Sequence, residues 1–170
     1  KEIKLKFIYI HFLLMISFIV SADPTELLDK FFKNNLEFTQ TSFNSANNSF
    51  DKSYGTFYRD LENNIKIEIT SPFKEIYLIN KNGVEIHDLE FNQKRFIKNK
   101  DISNNLLNFI KNGFDKELLN LEQVNSKNLK LIDDDKTYYF EFLNNDELQI
   151  KYKDNLNVDN LINFSKHNDK

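Results

Sequence analysis

The sequence has no cysteine and no tryptophan, and its 170 residues include only 3 Gly, 2 Pro, 1 Met and 2 Arg. Without cysteine there is no disulfide framework, no thiol nucleophile, no thiolate zinc site and no lipid attachment through sulfur. The glycines, Gly55, Gly83 and Gly113, lie far apart, so no Gly-rich loop is present to cradle a phosphate. A balance of 23 Lys+Arg against 26 Asp+Glu, net −3, offers nucleic acid no basic field. Histidine occurs only as His11, His87 and His167, with no His-Glu-x-x-His helix to hold zinc. No serine has a paired base at a recognisable spacing. Asp133-Asp134-Asp135 lacks the ligand rhythm and the glycine of a calcium loop and reads as a solvated turn. Carboxylates are too frequent for any pair to mark a glycosidase dyad. The expectation is a protein without catalysis, metal or cofactor.

What is abundant is asparagine, with 25 residues, and lysine, with 21. The asparagines are dispersed, as codon bias in an AT-rich genome would leave them, and form no tract. At about 100–200 residues per domain the length suits one domain, large enough to bury a core without a staple. The N-terminus reads as an address. Lys1, Lys4 and Lys6 precede a mostly apolar run from Phe7 to Val20, and Val20-Ser21-Ala22 supplies small or β-branched residues for cleavage. This three-part layout predicts a secretory signal peptide over residues 1–22, cut after Ala22, and an exported single domain over 23–170. Fourteen residues are short for a permanent membrane anchor, which needs about 20. Without the signal the balance is 20 basic against 25 acidic residues, a net of −5.

Asp23-Pro24-Thr25-Glu26 opens a helix, whose apolar stripe is Leu27, Leu28, Phe31, Phe32 and, by spacing, Leu36. Beyond Asn34-Asn35 the period becomes that of strands. Alternation marks Phe38, Tyr54 to Leu61, Ile65 to Thr70, Glu75 to Ile79, Val84 to Leu89 and Lys94 to Ile97. A second helix starts near Asp101 or Ser103, carries Leu106, Leu107, Phe109 and Ile110, and stops at Gly113. A short third helical turn is expected over Lys116 to Leu121. Strands return at Thr137 to Phe142, Leu148 to Tyr152 and Val158 to Phe164. The expected class is α+β: a large curved antiparallel sheet, a half-open barrel, covered by two or three helices. Two outcomes stay open for its inner face, a fully packed core or an apolar cavity where the helices do not fill the sheet.

The ordered series Phe38-Thr39-Gln40, Gly55-Thr56-Phe57-Tyr58, Thr70-Ser71-Pro72, Asn82-Gly83 and Ile86-His87-Asp88 with Gln93 resembles the LolA family of periplasmic lipoprotein carriers. Leu148 to Tyr152 and Asp154 to Phe164 look like the family's later hairpin. The resemblance covers roughly Leu27 to Phe164 and is weak between Lys98 and Lys136. It implies a chaperone that takes lipoproteins from an inner-membrane ABC transporter, holds their acyl chains in a cavity, and passes them to an outer-membrane receptor. A monomer is expected. The cavity residues it implies are Leu28, Phe31 and Phe32 on the first helix, Phe57, Ile65, Ile67 and Ile69 on the sheet, and Leu106, Leu107 and Ile110 on the covering helix. Each of these residues also suits ordinary core packing.

Two departures from the family stand out. Its Arg-Pro after the Gly-x-hydrophobic strand is replaced here by Leu61-Glu62, with Arg59 two residues earlier. Two residues along a strand return to one face, which puts Arg59 with Phe57 and Leu61. There Arg59 either latches the helical lid through helix-end carbonyls or reaches out to water. The family's later Phe-x-Phe-x-Pro-Pro stretch is absent up to Lys170, which bears on receptor transfer more than on lipid binding. The other functional class is a secreted module of the same shape that senses lipids or lipoproteins.

Overall fold

The computed structural model describes residues 24–45, 47–102, 105–114, 120–133, 136–154 and 156–167. The expected signal peptide with its cleavage site, Asp23, Ser103, most of the expected third helical turn, and Asp134-Asp135 lie outside the described residues.

Helix α1, Pro24–Phe31, carries Glu26 in its first turn and Lys30 in its last, charges that suit the helix dipole. Leu28 and Phe31, with Phe32 just beyond, face the sheet and are buried. The helix stops because Asn34 turns back: its side-chain NH2 donates to the carbonyls of Lys30 at 2.8 Å and Phe31 at 2.9 Å. Leu36 therefore leaves the helical stripe and opens the first strand, where it is buried.

The strands of the first half are β1 (Leu36–Asn44), β2 (Ser49–Arg59), β3 (Ile65–Ser71), β4 (Glu75–Asn80), β5 (Gly83–Asp88) and β6 (Gln93–Lys98). A 3-10 turn at Asn99–Asp101 leads to helix α2, Asn105–Asn112. Then come β7 (Asn120–Gln123), β8 (Asn128–Asp133), β9 (Lys136–Phe142), β10 (Glu147–Lys153) and β11 (Asp159–Lys166). They form one 11-stranded sheet in the order β6-β5-β4-β3-β2-β1-β11-β10-β9-β8-β7, antiparallel at every pairing. Two meanders thus meet where β1 pairs with β11, with Phe38 opposite Phe164 and Ser42 opposite Asn160. β6 and β7 are the free edges, so the sheet is open.

Three expectations are corrected. β2 ends at Arg59, so Leu61 sits in the following turn, fully exposed, and does not share the inner face. Asn120 and Leu121, expected at the end of a helical turn, belong to β7. β8 was not expected at all, although Leu129 and Leu131 alternate cleanly onto the inner face and are buried.

The scarcity of glycine is met by asparagine. Asn48, Asn63, Asn92 and Asn157, each in a hairpin turn, hold φ between 51° and 62°, the left-handed region that asparagine tolerates best after glycine. Glycine is kept for harder positions. At Gly55 a Cβ would come within 2.4 Å of the Glu68 carbonyl oxygen and 2.6 Å of the Phe38 ring, which lies over this spot. Gly113, at φ +95°, ends α2 with its N–H on the Phe109 carbonyl at 2.9 Å.

The core lies between the helices and the inner face. Phe32 is its hub: its ring centroid is 5.4 Å from Phe164, 5.6 Å from Phe31, 5.9 Å from Phe57 and 6.0 Å from Phe114. Most of these pairs meet edge to face, the geometry that aromatic quadrupoles favour.

Candidate functional site: an apolar cavity under α2

Between α2 and the middle of the sheet is a cavity of about 210 Å³. Its roof is Leu106, Leu107 and Ile110, on one face of α2 at the three- and four-residue spacing of a helix. Its walls are Phe57, Ile67 and Ile69 from β2 and β3, Phe38 from β1, and Ile162 and Phe164 from β11. Gln40, Tyr77 and Tyr152 complete the lining and are its polar members.

Of the ten residues implied for a cavity, Phe57, Ile67, Ile69, Leu106, Leu107 and Ile110 are brought together here. The other four, Leu28, Phe31, Phe32 and Ile65, pack into the core at 3 % exposure or less and do not line the cavity. Sequence reasoning missed Phe38, Gln40, Tyr77, Tyr152, Ile162 and Phe164. Alternation would have placed all six on the inner face, but only the register of β1, β10 and β11, with that of β3 and β4 for Tyr77, puts them around one space.

Arg59 sits at the helix-covered end. A terminal guanidinium nitrogen donates to the carbonyl oxygen of Ile110 in α2, and the guanidinium carbon is 5.9 Å from the Phe57 ring centroid. Its Nε is buried with no hydrogen-bond partner among the described residues. Burial pulls the guanidinium pKa down, and the charge of Asp29 on α1 opposes that. Asp29 has a second role: its carboxylate accepts the N–H of Phe114, just past α2, at 3.0 Å. Arg59 and Asp29 thus tie α2 to the sheet and to α1 through few polar contacts. Leu106, Ile110 and Phe114 supply the apolar attachment, each buried.

Two larger grooves, of about 480 and 920 Å³, are lined mainly by side chains that alternate outward. The first includes Thr39, Thr56 and Asn163, the second Phe50, Tyr139 and Leu161. Both are wider than the inner cavity, yet neither combines an apolar wall with a helical roof. Among the described residues no group of three or more His, Asp or Glu side chains is placed to hold a metal ion. His87 pairs with Glu85 at 2.6 Å on the outer face of β5.

No protein-family model matches the sequence, and no curated protein matches it either. Among solved structures, a LolA superfamily protein from Nitrosomonas europaea is similar, with a TM-score of 0.45 and 12 % identity over 86 % of this chain and 92 % of that one. A putative outer membrane lipoprotein-sorting protein domain from Vibrio parahaemolyticus is similar too, with a TM-score of 0.42 and 7 % identity over 87 % of this chain and 89 % of that one. This chain's own described sheet is open and antiparallel, with the two helices on its inner face.

Proposed function

We propose that the protein is a periplasmic carrier that holds the acyl chains of lipoproteins under α2. In this reading an inner-membrane ABC transporter delivers the cargo and an outer-membrane receptor takes it. No catalysis is involved. The observation that carries the reading is an apolar cavity roofed by α2, which the Arg59–Ile110 contact fastens to the sheet. Burying a methylene is worth about 0.8 kcal/mol, so a chain of about 16 carbons gains on the order of 10 kcal/mol by leaving water.

The cavity as it stands is smaller than the roughly 300 Å³ at the lower end for small-molecule sites. Cargo must therefore lift α2, and lifting α2 parts Arg59 from Ile110. A half-buried guanidinium that loses its acceptor favours reclosure once the cargo has left. This makes uptake and release two positions of one helix.

Native mass spectrometry of the protein isolated from the periplasm of its own cells tests the reading. Co-purified acylated proteins or their N-terminal peptides are expected. A clean unloaded mass, even after incubation with inner-membrane vesicles rich in lipoproteins, would overturn the carrier and leave the sensing module. For the latch, Arg59→Leu is expected to speed amide exchange in α2 by about tenfold or more in the empty protein. Unchanged exchange, together with unchanged uptake and release, would remove Arg59 from the mechanism.

A further inference from the structure

Along three neighbouring strands the inner face changes character at the same level. On β1 it runs Leu36, Phe38, Gln40, Ser42; on β11 Phe164, Ile162, Asn160; on β10 Leu148, Ile150, Tyr152. The register sets Asn160 opposite both Ser42 and Tyr152, so the polar residues gather at the end of the cavity away from Arg59.

Asn160 is 6 % exposed, and its Oδ1 accepts from Gln40 Nε2 at 2.9 Å and from the Ser42 hydroxyl, while its Nδ2 donates to the Val158 carbonyl at 3.0 Å. With both acceptor sites of the Asn160 Oδ1 taken by donors, the Gln40 NH2 must be the group turned toward it. The Gln40 NH2 is engaged with Asn160 and Ser42, leaving its Oε1 with no donor among the described residues. The Tyr152 hydroxyl also has no partner among the described residues; its ring packs against Tyr138, centroids 5.5 Å apart. Both residues line the cavity. An otherwise apolar space thus carries one free acceptor and one free donor.

A carboxylate lies near each of the two lining tyrosines, Glu75 by Tyr77 and Asp154 by Tyr152. Glu75 accepts the hydroxyl of Tyr77, another lining residue, at 2.6 Å; burial and then Glu75 push the Tyr77 hydroxyl pKa up, and the charge of Arg95 opposes them. Burial, then the charge of Asp154, pushes the Tyr152 hydroxyl up to about 12, so it stays a donor.

We infer that this end of the cavity reads the bond joining the acyl chain to its carrier molecule, and selects a neutral secondary amide. The Tyr152 O–H donates to the amide carbonyl and the Gln40 Oε1 accepts the amide N–H. An ester supplies only the first contact, and a carboxylate supplies no donor and adds a negative charge beside Glu75 and Asp154. The inference rests on the reading of the cavity as an acyl site and adds which acyl compounds it prefers.

The test is NMR titration of the protein with three probes of equal chain length, N-methyldodecanamide, methyl dodecanoate and dodecanoate. The amide is expected to bind about tenfold more tightly than the ester, with dodecanoate weakest. Tyr152→Phe should weaken amide and ester alike and keep their ratio. Gln40→Met should erase the ratio, whereas Ser42→Ala, which also loses a contact to Asn160, should preserve it. Equal binding of all three probes, or an amide preference that survives Gln40→Met, would overturn the inference and leave the acyl site standing. Binding of none would overturn both.

Discussion

The two ends of the inner face are built from the same strands and obey opposite rules. Under the helices, Leu36, Phe57, Ile65, Ile79 and Leu148 are each 2 % exposed or less, and an intruding cation, Arg59, has a nitrogen with no partner among the described residues. At the other end Gln40, Ser42, Asn160 and Tyr152 occupy equivalent inward positions. Strand alternation decides which way a side chain points; whether an inward position takes a polar residue depends on the partners the register brings to it. Where the helices cover, only apolar side chains avoid a desolvation cost. At the other end a buried polar residue is tolerated because its bonds are made, as Asn160 makes three.

The sharpest way to break this contrast is at the aromatic hub. Phe32→Ala is expected to cost about 3–5 kcal/mol in urea unfolding, since four neighbouring rings would border the void. Asn160→Ala at the polar end should cost less, about 1–3 kcal/mol, by leaving Gln40 and Ser42 without their acceptor. If the two costs came out equal, the covered end would not be the dominant source of stability. The smallest effect at neutral pH is expected for Tyr152→Phe. The folded-state pKa of Tyr152, about 12, lies above that of an exposed tyrosine, so its contribution is fully present below about pH 10 and is lost as pH rises toward 12. Tyr152→Phe should flatten that alkaline fall in melting temperature while leaving the value near pH 7 almost unchanged. An alkaline limb identical to that of the parent would show that the hydroxyl is not buried in solution.

Much of this was legible in the sequence. Ile65 to Thr70 alternates in full register and is β3, and the stripes of Leu28 with Phe31 and of Leu106 with Ile110 are the faces that α1 and α2 bury. What stayed hidden has physical reasons. β7 and β8 carry Leu121, Leu129 and Leu131, a residue type that favours helix in isolation, and it is the pairing of β8 with β9 and of β7 with β8 that makes them strands. The cavity lining was half visible, because Phe38, Tyr152, Ile162 and Phe164 converge through pairings between the two ends of the chain. The polar end was not visible at all: Gln40 and Asn160 read as ordinary polar strand residues until the register places them side by side.

The seam between β1 and β11 has a consequence for the order of events during synthesis. A ribosome makes residues 36–44 early and residues 159–166 late, and these two segments must hydrogen-bond to each other. Until β11 emerges, β1 is an unpaired edge on a six-stranded meander that lacks half its aromatic core. Closing so long a loop is entropically slow, so the fold cannot be completed piecemeal from the N-terminus. The last of the described strands is the keystone, and a chain stalled before it would present an open edge and a row of phenylalanines to whatever chaperone is near.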